Sequence, residues 1–426
     1  WNMMRQNKLF SSIYITGTGL SIAFTMVLFI IYYVKFAPVY PEYNRDRTLV
    51  IDMMNVTQKD NPGNYSCNHG VSYKVVDMLK DLPHLDKIGA SSQMGNYLGY
   101  ALTMPESNEI YMPIVNLTDR GFWEVFTFEF IDGKPYEQAD VEAGLPKAVI
   151  SESLAKRVFT RTDVAGEYID LDGKDVQVCG VVRDASTATP ITVGEMYLPL
   201  YFCDQLRPSS FDYGLSGSVQ LYLTAPSEDD IEPLRSEVQE VFKQHNLQDE
   251  KLNSNLMNQP DIWWKNYFRT ECNHEPDIAK AVRGILYMLL ALLFIPAMNL
   301  CGMISSRMDE RLSEIGLRKA YGATNRSLIG QILTENLLLT VIGGLLGLAL
   351  AYIITIAGGE TILNLMDENV TLFKTISTKI NLEMLINLPL FLTVFGVCVL
   401  LNLISALVPT LLALRHPIIH SIQTKR

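Results

Sequence analysis

The stretch RMDERLSEIGLRKAYGATNRSL (Arg307–Leu328) is densely charged, and it sits between two runs that hold no Asp, Glu, Lys or Arg. The run before it has 23 residues, between Arg283 and Arg307, and the run after it has 24, between Glu335 and Glu360. Two more such runs occur, 26 residues between Lys8 and Lys35 and 31 between Glu383 and Arg415. A helix needs roughly 20 apolar residues to cross the hydrocarbon core of a bilayer. Four transmembrane helices are therefore predicted, at 12–34, 284–305, 336–358 and 387–411. The first run follows Arg5 and Lys8, as a signal peptide would. It exceeds the roughly 7–15 residues of a signal core and no A-x-A site follows, so a retained anchor is expected. Residue 1 is Trp, so at least one initiator residue is expected ahead of it.

Basic residues set the orientation of a membrane chain. The N-terminus (Arg5, Lys8), the loop around the opening stretch (Arg307, Arg311, Arg318, Lys319, Arg326) and the tail (Arg415, Lys425, Arg426) are all Lys/Arg-rich. An even number of spans puts all three on one side, expected to be the cytoplasm. The whole chain nevertheless carries −11. The acidic excess falls mainly in 36–281, a block of 246 residues between the first two spans that must then lie outside the cytoplasm. Such a block is long enough for one or two folded domains. Four of the six cysteines fall outside the membrane, Cys67, Cys179, Cys203 and Cys272. They permit three pairings. Their spacing is irregular and the block is large enough to fold without staples, so a disulfide is the less favoured reading and the sequence leaves their state open.

Within this block, KAVIS, EYIDLDG, VQVCGVV and VQLYLT read as strands, the last with period-2 alternation. SESLAKRVF reads as a helix with Ser151 as N-cap and Leu154, Val158 and Phe159 on one face. In EDDIEPLRSEVQEVFKQHN, the residues Ile231, Leu234, Val238, Val241 and Phe242 form an apolar helical stripe. The mixture implies an α+β domain. Close to the second span, DIWWKNYFRT gathers Trp263, Trp264, Tyr267 and Phe268. These aromatics fit a helix packed on its neighbours or an interfacial belt. They equally fit a stalk helix that extends the second span outward.

Signals for chemistry are weak. LSGSVQ (Leu215–Gln220) resembles an ATPase signature loop by chance, since no G-x-x-x-x-G-K-[ST] accompanies it. Cys272, His274 and Glu275 are close in sequence, but no second ligand pair stands at metal-binding spacing, and a solvated loop is the better reading. There is no nucleophile elbow, no H-E-x-x-H and no convincing carboxylate pair. No catalytic residue, metal or cofactor is expected in this chain, and no nucleic-acid partner. None of the four spans has an ionisable residue in its interior, where ion and substrate pathways usually have one. Thr16, Thr18, Ser21, Thr25, Asn299 and Asn402 read as helix-packing contacts, and Pro296 as a kink. Gly343-x-x-x-Gly347, with Gly344 beside it, allows close approach of another helix.

In the opening stretch itself, residues 307–321 have high helix propensity, with Glu314 and Arg318 as an i,i+4 pair and Met308, Leu312 and Ile315 on one face. Gly322 ends this helix and Thr324 caps the next. A helix, a tight turn and a second helix leave no room for a domain. Mixed charge beside a sharp turn suits a dock for a soluble partner better than a helix lying on anionic lipid.

Residues 298–351, from MNLCGMISSRMDERLSEIGLRKAYGATNRSL through ENLLLTVIGGLLGLALA, resemble the signature of MacB/FtsX-type (type VII) ABC transporter permeases. The core runs R-x-x-E-I-G-L-R-K-A-x-G-A-T, Arg311 to Thr324. FWEVFTFEFIDGKP and the stretch from KAVISESLAKRVF to VVRDAS resemble the family's extracytoplasmic domain. RQNKLFSSIYITGTGLSIAF resembles the entry to its first span, and ISALVPTLLALRHPIIHSI its ending. The resemblance covers most of the chain and is weakest in 55–115 and 200–280.

The resemblance implies a four-helix transmembrane protein with a large two-lobed α+β extracytoplasmic domain between spans 1 and 2. It implies this order: a cytoplasmic N-terminus and first span (1–35), the outer domain (36–281, inserted lobe 118–190), the second span (282–305), the coupling helix-turn-helix (306–335), the third span (336–358), a short outer loop (359–386), the fourth span (387–411) and a cytoplasmic tail (412–426). It further implies a dimer in a bacterial inner membrane, with a second copy or a paralogue, served by two separate ATPase subunits that hold ATP and Mg. Arg311, Glu314, Ile315, Gly316, Arg318, Lys319 and Gly322 would face the ATPase. The implied action is mechanotransmission, in which ATP hydrolysis inside moves the domain outside. Export of peptides, antibiotics or other envelope compounds with a periplasmic adaptor and an outer-membrane channel comes first. Lipoprotein extraction, and FtsX-like control of cell-wall hydrolases or peptide sensing, are the alternatives.

Overall fold

The computed structural model describes residues 8–63, 65–105, 109–186, 189–207, 214–269, 271, 274–288, 290–291, 294, 314–365 and 388–414. The chain divides into two compact units, one holding residues 34–278 and the other the long apolar helices.

The first unit is built on strands β1 (Thr48–Ile51), β2 (Met54–Gln58), β3 (Tyr65–Asn68), β4 (Lys87–Ser92), β5 (Leu102–Thr103), β6 (Ile110–Tyr111), β7 (Val115–Thr118) and β8 (Phe130–Gly133). They continue as β9 (Lys147–Ser151), β10 (Tyr168–Leu171), β11 (Lys174–Val182), β12 (Met196–Pro199), β13 (Gln220–Thr224), β14 (Leu252–Asn255) and β15 (Asp261–Ile262). Twelve of them form one mixed sheet in the order β15-β1-β13-β4-β7-β12-β9-β11-β10-β5-β6, with β8 also on β11; β14, β2 and β3 form a second, small sheet. The four strand-like stretches of the sequence thus become β9, β10, β11 and β13. β9 and β11 pair in parallel. A parallel pair needs a crossover connection, and part of it is the helix Glu152–Phe159. Ser151 caps that helix by accepting the Leu154 amide, and Leu154, Ala155 and Val158 face the core. The helix Ile231–Gln248 buries Ile231, Leu234, Val238 and Phe242.

The region expected as an inserted lobe at 118–190 shares this sheet with its flanks, and its pairing reaches back in sequence. Leu171 pairs with Leu102, and Leu102 with Tyr111. β13 alternates in sequence, yet Leu221, Tyr222 and Leu223 are all buried. It lies inside the sheet between β1 and β4. The polar end of Tyr222 is satisfied by Ser91 Oγ at 2.9 Å. The core around Phe122, Trp123, Phe126, Phe128 and Tyr197 is aromatic, with ring centroids 4.8–5.8 Å apart for neighbours. Such edge and tilted contacts add about 0.5–1.5 kcal/mol per pair beyond area burial. Cys67 is disulfide-bonded, the reading the sequence favoured less, while Cys179 and Cys203 are free thiols. It lies on β3 in the small sheet, which has far fewer buried strands to hold it than the large one.

Among the described residues, the second unit holds most of three long helices, here α1 (Lys8–Phe36), whose last turn from Val34 belongs to the first unit, α2 (Asn325–Leu365) and α3 (Leu388–Leu414). Ser11–Phe36 and Asn325–Gly358 are long and apolar enough to cross a membrane, and Phe391–Leu407 is a shorter apolar helix. They coincide with the first, third and fourth expected spans. Most of the second, with Pro296 and Asn299, lies outside the described residues. Leu20, Phe24, Leu338, Leu345, Leu346, Ile353 and Leu400 stand exposed on these helices, an arrangement suited to lipid rather than water. Two hydroxyls of α1 turn back on their own helix, where hydrocarbon offers no water. Ser21 donates to the Gly17 carbonyl at 2.7 Å and Thr25 to that of Ser21 at 2.9 Å.

The Gly343-x-x-x-Gly347 motif is used within the chain. A Cβ placed on Gly343 would stand 2.9 Å from the Ile15 carbonyl oxygen, and one on Gly347 2.4 Å from that of Gly19. α1 and α2 therefore touch backbone to backbone at three glycines. Tyr14 and Thr340 add a hydrogen bond at 3.4 Å in the same seam. Gly344 instead admits the ring of Phe395 on α3.

Candidate functional site

The described part of the charged stretch begins at Glu314 and is helical to Ala320. Glu314 and Arg318 form the expected pair at 2.6 Å. Arg318 also donates to Gln331 on α2, and Gln331 to Glu335 at 3.2 Å. A single guanidinium thus spans both arms of the turn. The helix closes with two bonds of a Schellman cap. The Ala323 amide donates to the Arg318 carbonyl at 3.0 Å, and the Gly322 amide to that of Lys319 at 3.0 Å. That geometry needs a left-handed residue, and Gly322 has φ +90°. Thr324 Oγ1 then accepts the Ser327 amide at 3.3 Å as α2 starts.

The two faces of this joint differ sharply. Ile315 is 7% exposed and packs with Tyr14, Leu328, Ile332, Leu339 and Ala406. Its neighbour Gly316 is buried as well. These two were expected to face an ATPase, and they do not: helical spacing points them at α1, α2 and α3. Glu314, Arg318, Lys319 and Gly322 are at the surface, and Arg311 lies outside the described residues. Beside them Tyr321 is 86% exposed and Leu317 54%. Sequence reasoning passed over this apolar pair. Their i,i+4 spacing, on the side of the helix away from Ile315, was the available signal.

The aromatic stretch near the second span gathers at the end of α1. Trp263–Asn266 is a single helical turn, and Trp263 is buried against the outer-unit core. The helix that continues the chain resumes only at Ile278, so these four aromatics lie off it and the stalk-helix reading is corrected. Asn266 donates to Asp52 just after β1 and Arg269 to Asp261 on β15, which ties the segment to the first unit. Tyr267 and Phe268 meet Phe36, edge-on at 5.5 Å and stacked at 6.1 Å. Lys35 Nζ donates to Tyr267 Oη at 2.6 Å. Trp264 stays partly exposed, with Lys265 over its ring.

Two buried carboxyls lie near these elements. Burial pushes Asp119 up to about 6, although the Ala90 and Phe122 amides and the Tyr73 hydroxyl all donate to it. Burial likewise pushes Asp52 up to about 6, against the Asn266 amide at 3.0 Å and the Arg269 charge. Arg269 itself is buried and bonded to Asp261. These groups hold structure: each is bonded to backbone or side chains of the same unit. LSGSVQ has a structural use: Val219 exchanges backbone hydrogen bonds with Val71 at 2.8 and 3.1 Å. His274 and Glu271 pair at 3.2 Å in solvent; Cys272 lies outside the described residues. Among the described residues, no group of three or more His, Cys, Asp or Glu could hold a metal.

The family model of the MacB-like periplasmic core domain matches residues 11–241, and that of the FtsX-like permease C-terminal matches 286–418. The chain belongs to the MacB/FtsX family of ABC transporter permeases. The α+β unit is the seat of the MacB-like periplasmic core domain, and the joint at Gly322 lies within the FtsX-like permease region. Among relatives of this permease, the ABC transporter permease YknZ of Bacillus subtilis (strain 168) is 28% identical over 56% of this chain and 56% of its own length. The macrolide export ATP-binding/permease protein MacB of a Shewanella species is 24% identical over 68% of this chain and 41% of its own. The pyoverdine export ATP-binding/permease protein PvdT of Pseudomonas fluorescens is 26% identical over the same shares. The chain spans about half the length of the curated relatives it matches. Among solved structures, the extracellular domain of YknZ matches 48% of this chain and 99% of its own at 18% identity, with a TM-score of 0.32. The periplasmic region of MacB from Actinobacillus actinomycetemcomitans matches 48% and 88% at 12% identity, with a TM-score of 0.31.

Proposed function

We propose that this chain is the permease subunit of a transporter in which a separate ATPase pushes on the joint at 306–335 and the outer domain moves in response. One observation carries the reading: an exposed apolar pair, Leu317 and Tyr321, flanked by Arg318 and Lys319, on a helix whose other face is locked into the spans. A surface of that kind suits docking, since aromatic anchors ringed by charge dominate interface energetics. Its rigid backing suits transmission.

Four spans with both termini and the joint in the cytoplasm, and 36–281 outside, remain the proposed topology in a bacterial inner membrane. The disulfide at Cys67 supports an oxidising location for the outer unit. Two permease copies, or this chain and a paralogue, would work with two ATPases that hold ATP and Mg. Macrolide export and pyoverdine export by the fused relatives favour export of envelope compounds, with an adaptor and an outer-membrane channel as further partners.

The test is co-purification from native membranes, combined with ATP turnover of the partner ATPase. Recovery of an ATPase, an adaptor and a channel, with turnover stimulated by the wild-type chain and lost with Glu314→Lys or Gly322→Pro, supports the reading. Recovery of a cell-wall hydrolase instead, or unchanged stimulation by both variants, overturns it.

A further inference from the structure

The connector that follows α1, residues 37–47, holds a buried ion pair that the docking joint does not use. Glu42 and Arg45 are 1% and 3% exposed and bonded at 2.6 and 2.8 Å. Arg45 Nη1 reaches the end of α1, donating to the carbonyls of Val34 at 2.9 Å, Lys35 at 3.1 Å and Ala37 at 2.8 Å. The last four carbonyls of a helix lack partners of their own, so Arg45 is the cap of that end. Its guanidinium also lies over the Trp263 ring at 5.3 Å. Glu42 accepts the Thr192 hydroxyl at 2.7 Å from the loop before β12. Around the pair, the Thr127 amide donates to the Pro41 carbonyl at 3.0 Å. Tyr40 donates to the Arg183 carbonyl at 3.1 Å.

Stability alone is a poor reason to bury such a pair. Well-packed apolar residues in its place are often neutral or stabilising, while a fixed ionic register serves specificity in the best-attested cases. What this pair does have is geometry. Three segments far apart in sequence, the end of α1, the 189–193 loop and the turn at Trp263, converge on two side chains whose bonds are short and directional. A planar guanidinium presents five donors in a fixed fork, whereas an ammonium has three on one freely rotating nitrogen.

We propose that Arg45 and Glu42 are the transmission joint of the outer domain, positioning residues that make the end of α1, the 189–193 loop and Trp263 move as one body. The proposal rests on the reading that the outer domain moves during the ATP cycle, and it names where that movement enters.

Hydrogen exchange on the full chain in lipid nanodiscs tests the joint without nucleotide. Arg45→Gln is expected to speed exchange about tenfold at the end of α1, in 189–193 and in 263–266 together, since breaking one partner of a buried pair opens all that it holds. Arg45→Lys is expected to restore it in part. Thr192→Val, which removes one hydroxyl, is expected to speed exchange at the end of α1, distant in sequence. If Arg45→Gln unfolds the domain, Thr192→Val and the paired change Glu42→Leu/Arg45→Met decide. Exchange that changes only beside each substituted residue overturns the joint.

A second arm adds the partner ATPase with Mg-ATP. The wild type is expected to change its exchange in 118–190 on turnover, and Arg45→Gln to lose that change at unaltered ATP turnover. Persistence of the change in Arg45→Gln overturns the joint. No change in the wild type overturns the mechanical reading instead, and leaves the joint to be decided by the nucleotide-free data.

Discussion

Gly19 and Gly343 meet backbone to backbone: a Cβ on Gly19 would stand 2.8 Å from the Gly343 carbonyl oxygen. No side chain fits there without separating α1 from α2. Gly19→Leu and Gly343→Leu are therefore expected to lower stability in detergent by about 1–3 kcal/mol each, the usual cost of overpacking. Gly17→Ala and Gly330→Ala, where nothing lies within 4 Å, are the controls and should stay close to wild type. A thermal melt of the purified chain reads this, and equal losses at all four positions would contradict the seam.

Gly322 has φ +90° with open space around its Cα. Gly322→Ala is expected to cost about 1 kcal/mol through backbone strain alone. Gly322→Asn should recover part of it, because Asn tolerates the left-handed region better. The same melt measures both, and ATP turnover of the partner should follow the same order, Gly above Asn above Ala.

Tyr321→Ala and Leu317→Ala should leave folding intact, since both side chains are exposed. Each is expected to weaken ATPase binding by about 1–2 kcal/mol, as truncated interface anchors do. Ile315→Ala should act the other way, lowering stability by roughly 2–4 kcal/mol as a buried cluster loses volume. A binding titration in detergent, run beside the melt, separates the two faces; a Tyr321→Ala chain that binds as well as wild type would place the dock elsewhere.

Asp119 gives the outer unit a pH dependence of definite sign. Burial raises its carboxyl from the ordinary value of 3.8 to about 6, so between those values the folded state holds the proton more tightly than the unfolded. Its contribution to stability is full below that window and declines as pH rises through it. Asn at this position keeps an oxygen for the Ala90 and Phe122 amides and a group for Tyr73. Asp119→Asn is therefore expected to gain about 1–3 kcal/mol relative to wild type at pH 7.5 compared with pH 4. Denaturant titrations at the two pH values check it, and a difference independent of pH would contradict the assignment.

Cys67 gives a fifth handle. Reduction, or Cys67→Ser, is expected to destabilise the outer unit by about 2–4 kcal/mol. Non-reducing thiol labelling should modify Cys203 and Cys179 only on unfolding and Cys67 only after reductant.

Local signals were legible in the sequence and long-range ones were not. Ser151 announced its helix because a cap and its amide are three residues apart. The stripe from Ile231 to Phe242 announced its buried face for the same reason, as did Gly322 and the Glu314–Arg318 pair. Leu317 and Tyr321 were visible but masked by the charges around them. Arg45 carried no signal at all. Its partners are set by tertiary convergence, from Ala37 beside it to Trp263 far along the chain. The disulfide of Cys67 was hidden likewise, because irregular spacing says nothing of which β-strands become neighbours.

β1 and β15 pair side by side, Leu49 with Ile262 and Val50 with Asp261. The sheet unit thus begins and ends on adjacent strands of one sheet edge, like a cassette whose two ends lie side by side. An insertion of that form can be exchanged whole, by recombination at its two flanks, without rebuilding the helices it is mounted on. A chain built this way can change between its two flanking strands while its long helices keep their sequence.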